Sequence, residues 1–231
     1  VEYSIRKVGP KVVSWWIGEA LEEQGHSPDD EVDEVLWLPV DRADDLLTYP
    51  SELQVLEEAL SVPLPTTTIV VVRHGKAVSR KEWAAGTSRK HRDDARRPLD
   101  RRGKRQAEAL PQILDCYAVH RLVSSSAARC VQTLTPYAEQ IGVDVRADDE
   151  LTEEVHDEDP DRTETRMRRI VADALSDPAH PVAICGHRPV LPLMNHALGV
   201  VYHPMSTAEC LIVHLDGNGE SLAEERFDSI I

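Results

Sequence analysis

Three short motifs carry side chains that could bind and attack a phosphate-like anion. The first is R-H-G, with Arg73 and His74, directly after the apolar run I-V-V-V. The second is G-H-R, with His187, and the third is S-S-S-A-A-R, which ends at Arg129. Arginine binds the oxygens of such anions through paired hydrogen bonds, and an imidazole with an unprotonated nitrogen is a nucleophile. Together the motifs predict a binding site for an anion such as a phosphate group, provided that the fold brings them to one place.

The segments before these motifs are predicted strands. The run at 69–72 is β-branched and has no polar alternation, which indicates a strand buried on both faces. Shorter apolar runs at His120–Ser124 and Val182–Cys185 precede the other motifs, and amphipathic stretches such as Arg162–Leu175 are predicted helices. This alternation predicts an α/β fold with a mostly parallel, helix-covered sheet. Ligands of such sheets bind at the carboxyl ends of the strands, where all three motifs lie.

The charged residues are unevenly distributed. The 231 residues have a net charge of −15, but between Arg73 and Arg105 there are 13 Lys and Arg residues against 4 Asp and Glu residues. In the rest of the chain 13 basic residues stand against 37 acidic ones. An acidic protein does not attract nucleic acid in general, whereas a basic segment beside R-H-G can attract a small molecule that carries phosphate.

Apolar runs and cysteines indicate the compartment. No apolar run approaches the ~20 residues of a membrane span, and no signal peptide is visible. The wide spacing of the four cysteines fits neither a zinc site nor a disulfide framework; they are Cys116, Cys130, Cys185 and Cys210. We therefore predict reduced, buried thiols in a cytoplasmic protein that has no membrane partner.

The N-terminal quarter has its own pattern. Lys11–Ala20 is predicted as a strand, and 30–40 alternates between apolar and acidic residues before a proline. Short helices are predicted from Asp41 to Leu47 and from Glu52 to Leu60, the second one capped by Ser51. A stiff segment with two prolines and three threonines follows. We predict a first domain at 1–61, a linker at 62–67 and a second domain at 68–231.

The second domain resembles the histidine phosphatase superfamily, also called the R-H-G or phosphoglycerate-mutase-like superfamily. The shared pieces, in order, are V-V-R-H-G, R-P-L-x-x-x-G-x-x-Q-A, S-S-x-A-x-R-x-x-Q-T, L-x-E and a late G-H. The spacing D-x-x-R-P-L from Asp94 to Leu99 is most similar to the SixA-type branch. The resemblance implies the histidine phosphatase fold and metal-independent phosphoryl hydrolysis through a phosphohistidine.

The resemblance also implies roles for individual residues. His74 would be the nucleophile, its other ring nitrogen donating to a backbone carbonyl, and Arg73, Arg129 and His187 would bind the phosphoryl oxygens. Glu153 would protonate the leaving oxygen and then activate water. For that position the adjacent Glu154 and a merely solvated acidic face stay open as alternatives. No metal is required. One departure is the serine at 126, where the family usually has proline.

Residues 1–61 resemble the C-terminal half of a Nudix hydrolase domain, through E-V-D-E-V-L-W-L-P-V-D-R-A-D-D-L-L and the strand before it. The resemblance implies Mg²⁺ held by glutamates of a Nudix box. A candidate box at 18–25 matches Glu19, Glu22, Glu23 and Gly25, but Gly18 replaces its arginine, and Ser4 and Pro10 stand where the spacing demands Gly and Glu. We therefore expect the true box to lie upstream of Val1, and Mg²⁺ to be needed only when that box is supplied.

Both domains in one chain resemble the two-domain MutT-type proteins that remove oxidised guanine nucleotides. This implies hydrolysis of nucleoside polyphosphates such as 8-oxo-dGTP or 8-oxo-GTP, with a nucleotide or another phosphorylated small molecule as partner. Two alternatives stay open: a protein phosphohistidine phosphatase, and a non-catalytic module of a nicked Nudix protein. The exposed strand edges of half a domain make either a separate N-terminal Nudix fragment or a second copy an expected partner.

Overall fold

The computed structural model describes residues 2–5, 9–18, 28–43, 45–88, 91 and 93–229. The chain divides into two units, Val1–Pro63 and Leu64–Ile231. In the described ranges no helix is long and apolar enough to cross a membrane. The candidate box residues Glu19, Glu22, Glu23 and Gly25 lie outside the described residues.

The first unit contains a hairpin and two helices. They are β1 (Glu2–Ile5), β2 (Gly9–Val12), α1 (Val40–Ala43) and α2 (Pro50–Ser61). The strand predicted for Lys11–Ala20 is wrong at 13–18, which have no regular structure, and its last two residues lie outside the described residues. Val12 pairs with Glu2, the first residue of β1, so no described residue of β1 is left to pair with 13–18. The alternating segment before α1 is also irregular at 34–39.

Helix α2 begins earlier than predicted. Its N-cap is Tyr49 rather than Ser51, and Pro50 occupies the first turn, where no backbone donor is needed. The carboxylate of Glu52 accepts hydrogen bonds from the backbone N–H groups of Thr48 and Tyr49, both at 3.1 Å. The glutamate thus reaches back to the N-cap backbone, as in a capping box, and anchors the start of the helix at Tyr49.

The second unit contains six strands and seven helices among the described residues. The strands are β3 (Thr67–Arg73), β4 (Arg121–Ser125), β5 (Val145–Asp148), β6 (Val182–Gly186), β7 (Cys210–Leu215) and β8 (Ser221–Phe227). The helices are α3 (Arg80–Ala84), α4 (Arg101–Ala109), α5 (Pro111–Leu114), α6 (Ala128–Ile141), α7 (Glu153–Glu158), α8 (Pro160–Leu175) and α9 (Leu191–Ala197).

One sheet organises this unit, with the strand order β5-β4-β6-β3-β7-β8. The first four strands in this order are parallel to one another. At the β3 edge, β7 pairs antiparallel with β3, and β8 pairs antiparallel with β7. The prediction of an α/β fold with a sheet covered by helices is thus confirmed, and the two antiparallel pairings make the sheet mixed. Three strands that precede the motifs, β4, β6 and β3, lie side by side, so their carboxyl ends share one edge.

The sheet is buried on both faces, as the unbroken apolar run predicts. Ile69 and Val71 pack in one core with Met167 of α8, and Val70 and Val72 pack in another that includes residues of α5 and α6. All four β3 side chains are fully buried. Burial of a Val or Ile side chain contributes about 1.5–3 kcal/mol, so β3 is a rigid support for the R-H-G motif at its end.

One helix of this unit has no sequence pattern that predicts it, and one sequence prediction is corrected. The acidic segment 148–161 contains helix α7 because Thr152 caps it: its hydroxyl accepts a hydrogen bond from Val155 N–H at 3.2 Å. The prediction that all four thiols are buried is wrong for Cys116, which is exposed in a 3₁₀ turn after α5. The other three are buried, and all four are free.

Candidate active site

The structure brings the two predicted histidines together at the carboxyl edge of the sheet. Arg73 pairs with Gly186 in the parallel β3–β6 register, and His74 N–H donates to the Gly186 carbonyl at 3.1 Å. His187 follows directly, so the rings of His74 and His187 lie 5.3 Å apart in an edge-to-face arrangement. The strand register therefore sets the spacing of these two side chains.

His74 is held as a neutral imidazole. Its Nδ1 lies 2.7 Å from the carbonyl oxygen of Gly75, which places the ring proton on Nδ1 as the hydrogen-bond donor. Burial lowers the pKa of His74 to about 4, because desolvation disfavours the imidazolium. At neutral pH the second nitrogen, Nε2, therefore has a free electron pair, which is the state that a nucleophile needs.

The backbone after His74 is fixed by residues from two later motifs. Gly75 N–H donates to the hydroxyl of Thr133 at 2.9 Å, and Lys76 N–H donates to the side-chain oxygen of Gln106 at 2.9 Å. A Cβ atom built on Gly103 would lie 2.0 Å from the Lys76 carbonyl oxygen. This close approach of α4 to the R-H-G loop explains why the motif spacing has glycine at 103 and glutamine three residues later.

The two predicted arginines retain unpaired donors. Arg129, at the start of α6, is fully buried; its Nη1 donates to the Asp94 carbonyl and its Nη2 to Glu153, both at 3.0 Å. Arg73 Nη1 donates to the Met205 carbonyl at 2.5 Å. The Nε–H groups of both arginines are buried without a hydrogen-bond partner in the described part of the chain. Buried donors are rarely left unpaired, so these two groups suit an incoming oxyanion.

Glu153 lies between the cations of the site, whereas the adjacent Glu154 is exposed. One carboxylate oxygen, Oε1, is 3.0 Å from Arg129 Nη2 and 3.2 Å from His187 Nδ1; the other, Oε2, is 2.6 Å from Arg80. The hydrogen bond from His187 and the charge of Arg129 outweigh burial and hold the pKa of Glu153 well below its usual range. The carboxyl is therefore ionised in this arrangement.

His187 is fully buried and uses both ring nitrogens. Nδ1 faces Glu153, and Nε2 lies 2.7 Å from the hydroxyl of Ser125. Burial opposes protonation, but the neighbouring Cys130 sulfur and the Glu153 carboxylate outweigh it and raise the pKa of His187 to about 9. The side chain is thus a cation near neutral pH. A phosphoryl oxygen that binds it has to take the place of one of these partners.

Three of these side chains have the donor types of a metal site. Ligand atoms of His74, Glu153 and His187 all lie within 4.8 Å of one another. The positive charge of Arg129 beside the same glutamate oxygen opposes the entry of a cation, and the unpaired Nε–H of Arg73 favours an anion. The arrangement therefore suits a bound oxyanion better than a metal ion.

Several residues of the site escaped the sequence reasoning. Asp94 accepts from Arg97 at 2.7 Å and lies 3.4 Å from Arg129, which makes it a support for the buried guanidinium. Its place in D-x-x-R-P-L was the available signal. Ser125 likewise lies in the motif S-S-x-A-x-R, but the sequence assigned no role to it.

Ser126 N–H donates to the Asp148 carbonyl at 3.2 Å, a bond that the usual proline could not make.

Comparisons with known proteins agree with this geometry. Residues 69–156 match the model of the family described as Histidine phosphatase superfamily (branch 1). A curated relative from Mycolicibacterium smegmatis, named 8-oxo-(d)GTP phosphatase, is 38% identical over 184 residues, which cover 80% of this chain and 53% of the relative. The chain thus spans about half the length of that curated relative.

Two solved structures show the same fold. The protein histidine phosphatase SixA complexed with tungstate aligns with 70% of this chain and 97% of its own, at 18% identity and a TM-score of 0.54. A mycobacterial protein described as hydrolase 1 aligns with 71% of this chain and 98% of its own, at 17% identity and a TM-score of 0.52. At these identities the likeness concerns the fold alone.

Proposed function

We propose that this chain is a hydrolase of phosphate esters of the histidine phosphatase type, which residues 69–156 match, and that it removes phosphoryl groups from nucleotides through a phosphohistidine on His74. The observation that carries the proposal is the neutral His74 ring beside two arginines with unpaired Nε–H donors. A nucleophile and its oxyanion donors thus lie at the same strand edge.

In the first step Nε2 of His74 attacks phosphorus, and the bond from phosphorus to the leaving oxygen breaks. Arg73, Arg129 and His187 stabilise the charge on the other phosphoryl oxygens. The leaving oxygen takes a proton from Glu153, and Glu153 receives that proton from the monoanionic phosphoryl group of the substrate as it binds. A phosphoryl group bound to Arg129 and His187 replaces their hydrogen bonds to Glu153 and partly neutralises their positive charges. The pKa of Glu153 therefore rises when substrate binds.

In the second step water attacks the phosphohistidine. Glu153, now ionised, accepts the proton of that water, and the bond from phosphorus to His74 breaks to release inorganic phosphate. All proton transfers use this carboxylate, and all charge stabilisation comes from the chain's own cations. We therefore expect the C-terminal unit to work without a metal ion.

The nucleotide class rests on two observations. The relative with 38% identity is named 8-oxo-(d)GTP phosphatase. The first unit also resembles part of a Nudix domain, which in this proposal would supply Mg²⁺-dependent pyrophosphohydrolysis once its box is present. Oxidised guanine nucleotides such as 8-oxo-dGTP are therefore the proposed substrates of the whole protein.

The first unit supports this view through its exposed apolar surface. Among its residues with described burial none is buried, and Trp15, Trp16 and Trp37 are each more than half exposed. An exposed apolar surface of this kind is typical of a face that another segment covers. We propose that the N-terminal half of a Nudix domain covers it, as part of the same protein, as a separate fragment or from a second copy.

The test is phosphate release from a nucleotide panel in excess EDTA. We expect release by the native chain and at least a hundredfold loss in His74→Ala, whereas His196→Ala, which changes an exposed histidine, keeps the native rate. Release from a phosphohistidine protein with none from nucleotides would favour the alternative of a protein phosphohistidine phosphatase. Release that requires both Mg²⁺ and a restored Nudix half would assign the chemistry to the first unit.

A further inference from the structure

A cavity of about 320 Å³ opens beside the reacting residues, on the side of Glu153 that faces away from Arg129. Its size is at the lower end of small-molecule sites. Six of the residues that line it matter for the argument: Arg80, Trp83, His91, Glu153, Glu154 and Asp157. Because Glu153 belongs both to the cavity and to the proposed acid–base chemistry, a group bound here would be the leaving group of the reaction.

One wall of this cavity is an aromatic side chain held in place. Trp83 on α3 is half-buried, its Nε1–H donates to the Asp93 carbonyl at 3.1 Å, and its ring lies 4.3 Å from that of His91. A Cβ atom on Gly86 would lie 2.3 Å from the His91 ring, so the backbone turns closely around this histidine. The Trp83 ring is therefore a preformed surface on which a planar group can stack.

The opposite edge offers hydrogen-bond acceptors. Glu153 and Asp157 are four residues apart on α7, and Glu154 and Asp157 are three apart, so all three lie along one side of the helix. Glu153 and Asp94 are neutralised by arginines. The side chains of Glu154 and Asp157 make no hydrogen bond or salt bridge with a described residue, and both residues are exposed. Two carboxylates thus remain to accept hydrogen bonds from a ligand.

We propose that this cavity binds the base of a guanine nucleotide, stacked on Trp83 with its donor edge toward Glu154 and Asp157. Guanine carries adjacent donors, N1–H and the N2 amino group, which match a carboxylate. Adenine instead presents an unprotonated N1 beside its amino group, and carboxylates repel that acceptor. This inference rests on the proposed function and specifies its substrate class.

The experiment measures dissociation constants by calorimetry in a His74→Ala background of the full chain, so that ligands are not consumed. The ligands are GMP, AMP and ribose 5-phosphate, which has the same phosphate and sugar but no base. We expect GMP to bind at least fivefold more tightly than AMP or ribose 5-phosphate, since stacking and a paired donor edge each contribute that much.

Variants separate the two contacts. Trp83→Ala should weaken GMP at least fivefold while ribose 5-phosphate is unaffected, and Trp83→Phe should restore most of the loss. The double change Glu154→Gln with Asp157→Asn should reduce the preference for GMP over AMP at least fivefold. Glu158→Gln, a charge change on the same helix that does not line the cavity, is the matched control.

Two outcomes would overturn the proposal, and they differ in what else they affect. Equal binding of GMP and AMP that no cavity variant changes would refute the base assignment, while EDTA-resistant release from nucleotides would leave the proposed function intact. Binding of inorganic phosphate with no added affinity from any nucleoside, together with no release from nucleotides, would refute both.

Discussion

At the scale of single residues, the site separates two histidines by their surroundings. His74 is desolvated and keeps a free nitrogen, whereas His187 lies beside Glu153 and Cys130 and keeps its proton. The same side chain is therefore suited to be a nucleophile at one position and a cation at the other. Ser125 and the Gly75 carbonyl fix the orientations of the two rings.

This difference predicts the pH profile of kcat/KM. His74 has to be neutral, so activity should fall below its pKa of about 4; His187 has to be charged, so activity should fall above its pKa of about 9. Between these limits the profile should be flat once ionisation of the substrate phosphate is corrected for. The measurement is kcat/KM against pH for a nucleotide in EDTA. An inflection near 6.5, the value of an ordinary histidine, would contradict the assignment.

The role of Glu153 can be tested separately. Glu153→Gln keeps an acceptor for Arg129 but cannot transfer a proton, so kcat should fall by about 10²–10⁴-fold. Glu158→Gln, on the same helix and outside the site, should stay within twofold of the native rate. Thermal unfolding of both variants checks that the change is not one of folding. A Glu153→Gln rate within threefold of native would exclude Glu153 as the acid and base of the reaction and leave it the role of pairing with Arg129.

At the scale of elements, the site depends on how closely α4 approaches the loop after β3. The Lys76 carbonyl lies where a Cβ of residue 103 would be, so even the smallest added side chain must push the helix or the loop away. That displacement would move the hydrogen bond from Lys76 N–H to Gln106 and, with it, the backbone that holds His74.

We therefore expect Gly103→Ala to lower kcat at least tenfold, because a shift of about 1 Å at a nucleophile costs that much or more. Alanine favours a helix by roughly 1 kcal/mol over glycine, so propensity alone would raise stability. Thermal unfolding together with kcat distinguishes the two effects. Gly142→Ala has open space around its Cβ and a positive φ of 70°, so this control should destabilise without changing kcat specifically.

Some elements could be predicted from local pattern and others could not. β3 and the strand before His187 are unbroken apolar runs, so their positions could be predicted from the pattern of burial. Their shared edge could be predicted because buried strands of this kind pair in parallel. Helix α7 has no apolar period; a single cap at Thr152 decides it. The segment around α3 is ordered by contacts between Trp83, His91 and Asp93, which depend on side-chain geometry rather than on periodicity. Which of the two glutamates, Glu153 or Glu154, lies beside Arg129 likewise depends on how α7 is oriented.

At the scale of the whole molecule, the protein is acidic although phosphate esters, its substrates, are anions. The net charge is −15, yet the reacting residues lie beside Arg73, Arg129 and the cationic His187. Which charge the substrate experiences depends on salt, because the screening length is about 30 Å at 0.01 M and about 8 Å at 0.15 M. At low salt the distant carboxylates repel the nucleotide; at physiological salt only the nearby cations act on it.

The dependence of kcat/KM on ionic strength should therefore pass through a maximum near about 0.1 M. Added salt first screens the distant acidic residues and raises the rate, and then screens the local cations and lowers it. Both limbs should be steeper for a nucleoside triphosphate than for a monophosphate, because the substrate charge is larger. A steady fall from 0.01 M would mean that the distant carboxylates do not act at the site, and a steady rise would mean that the local cations do not attract the substrate.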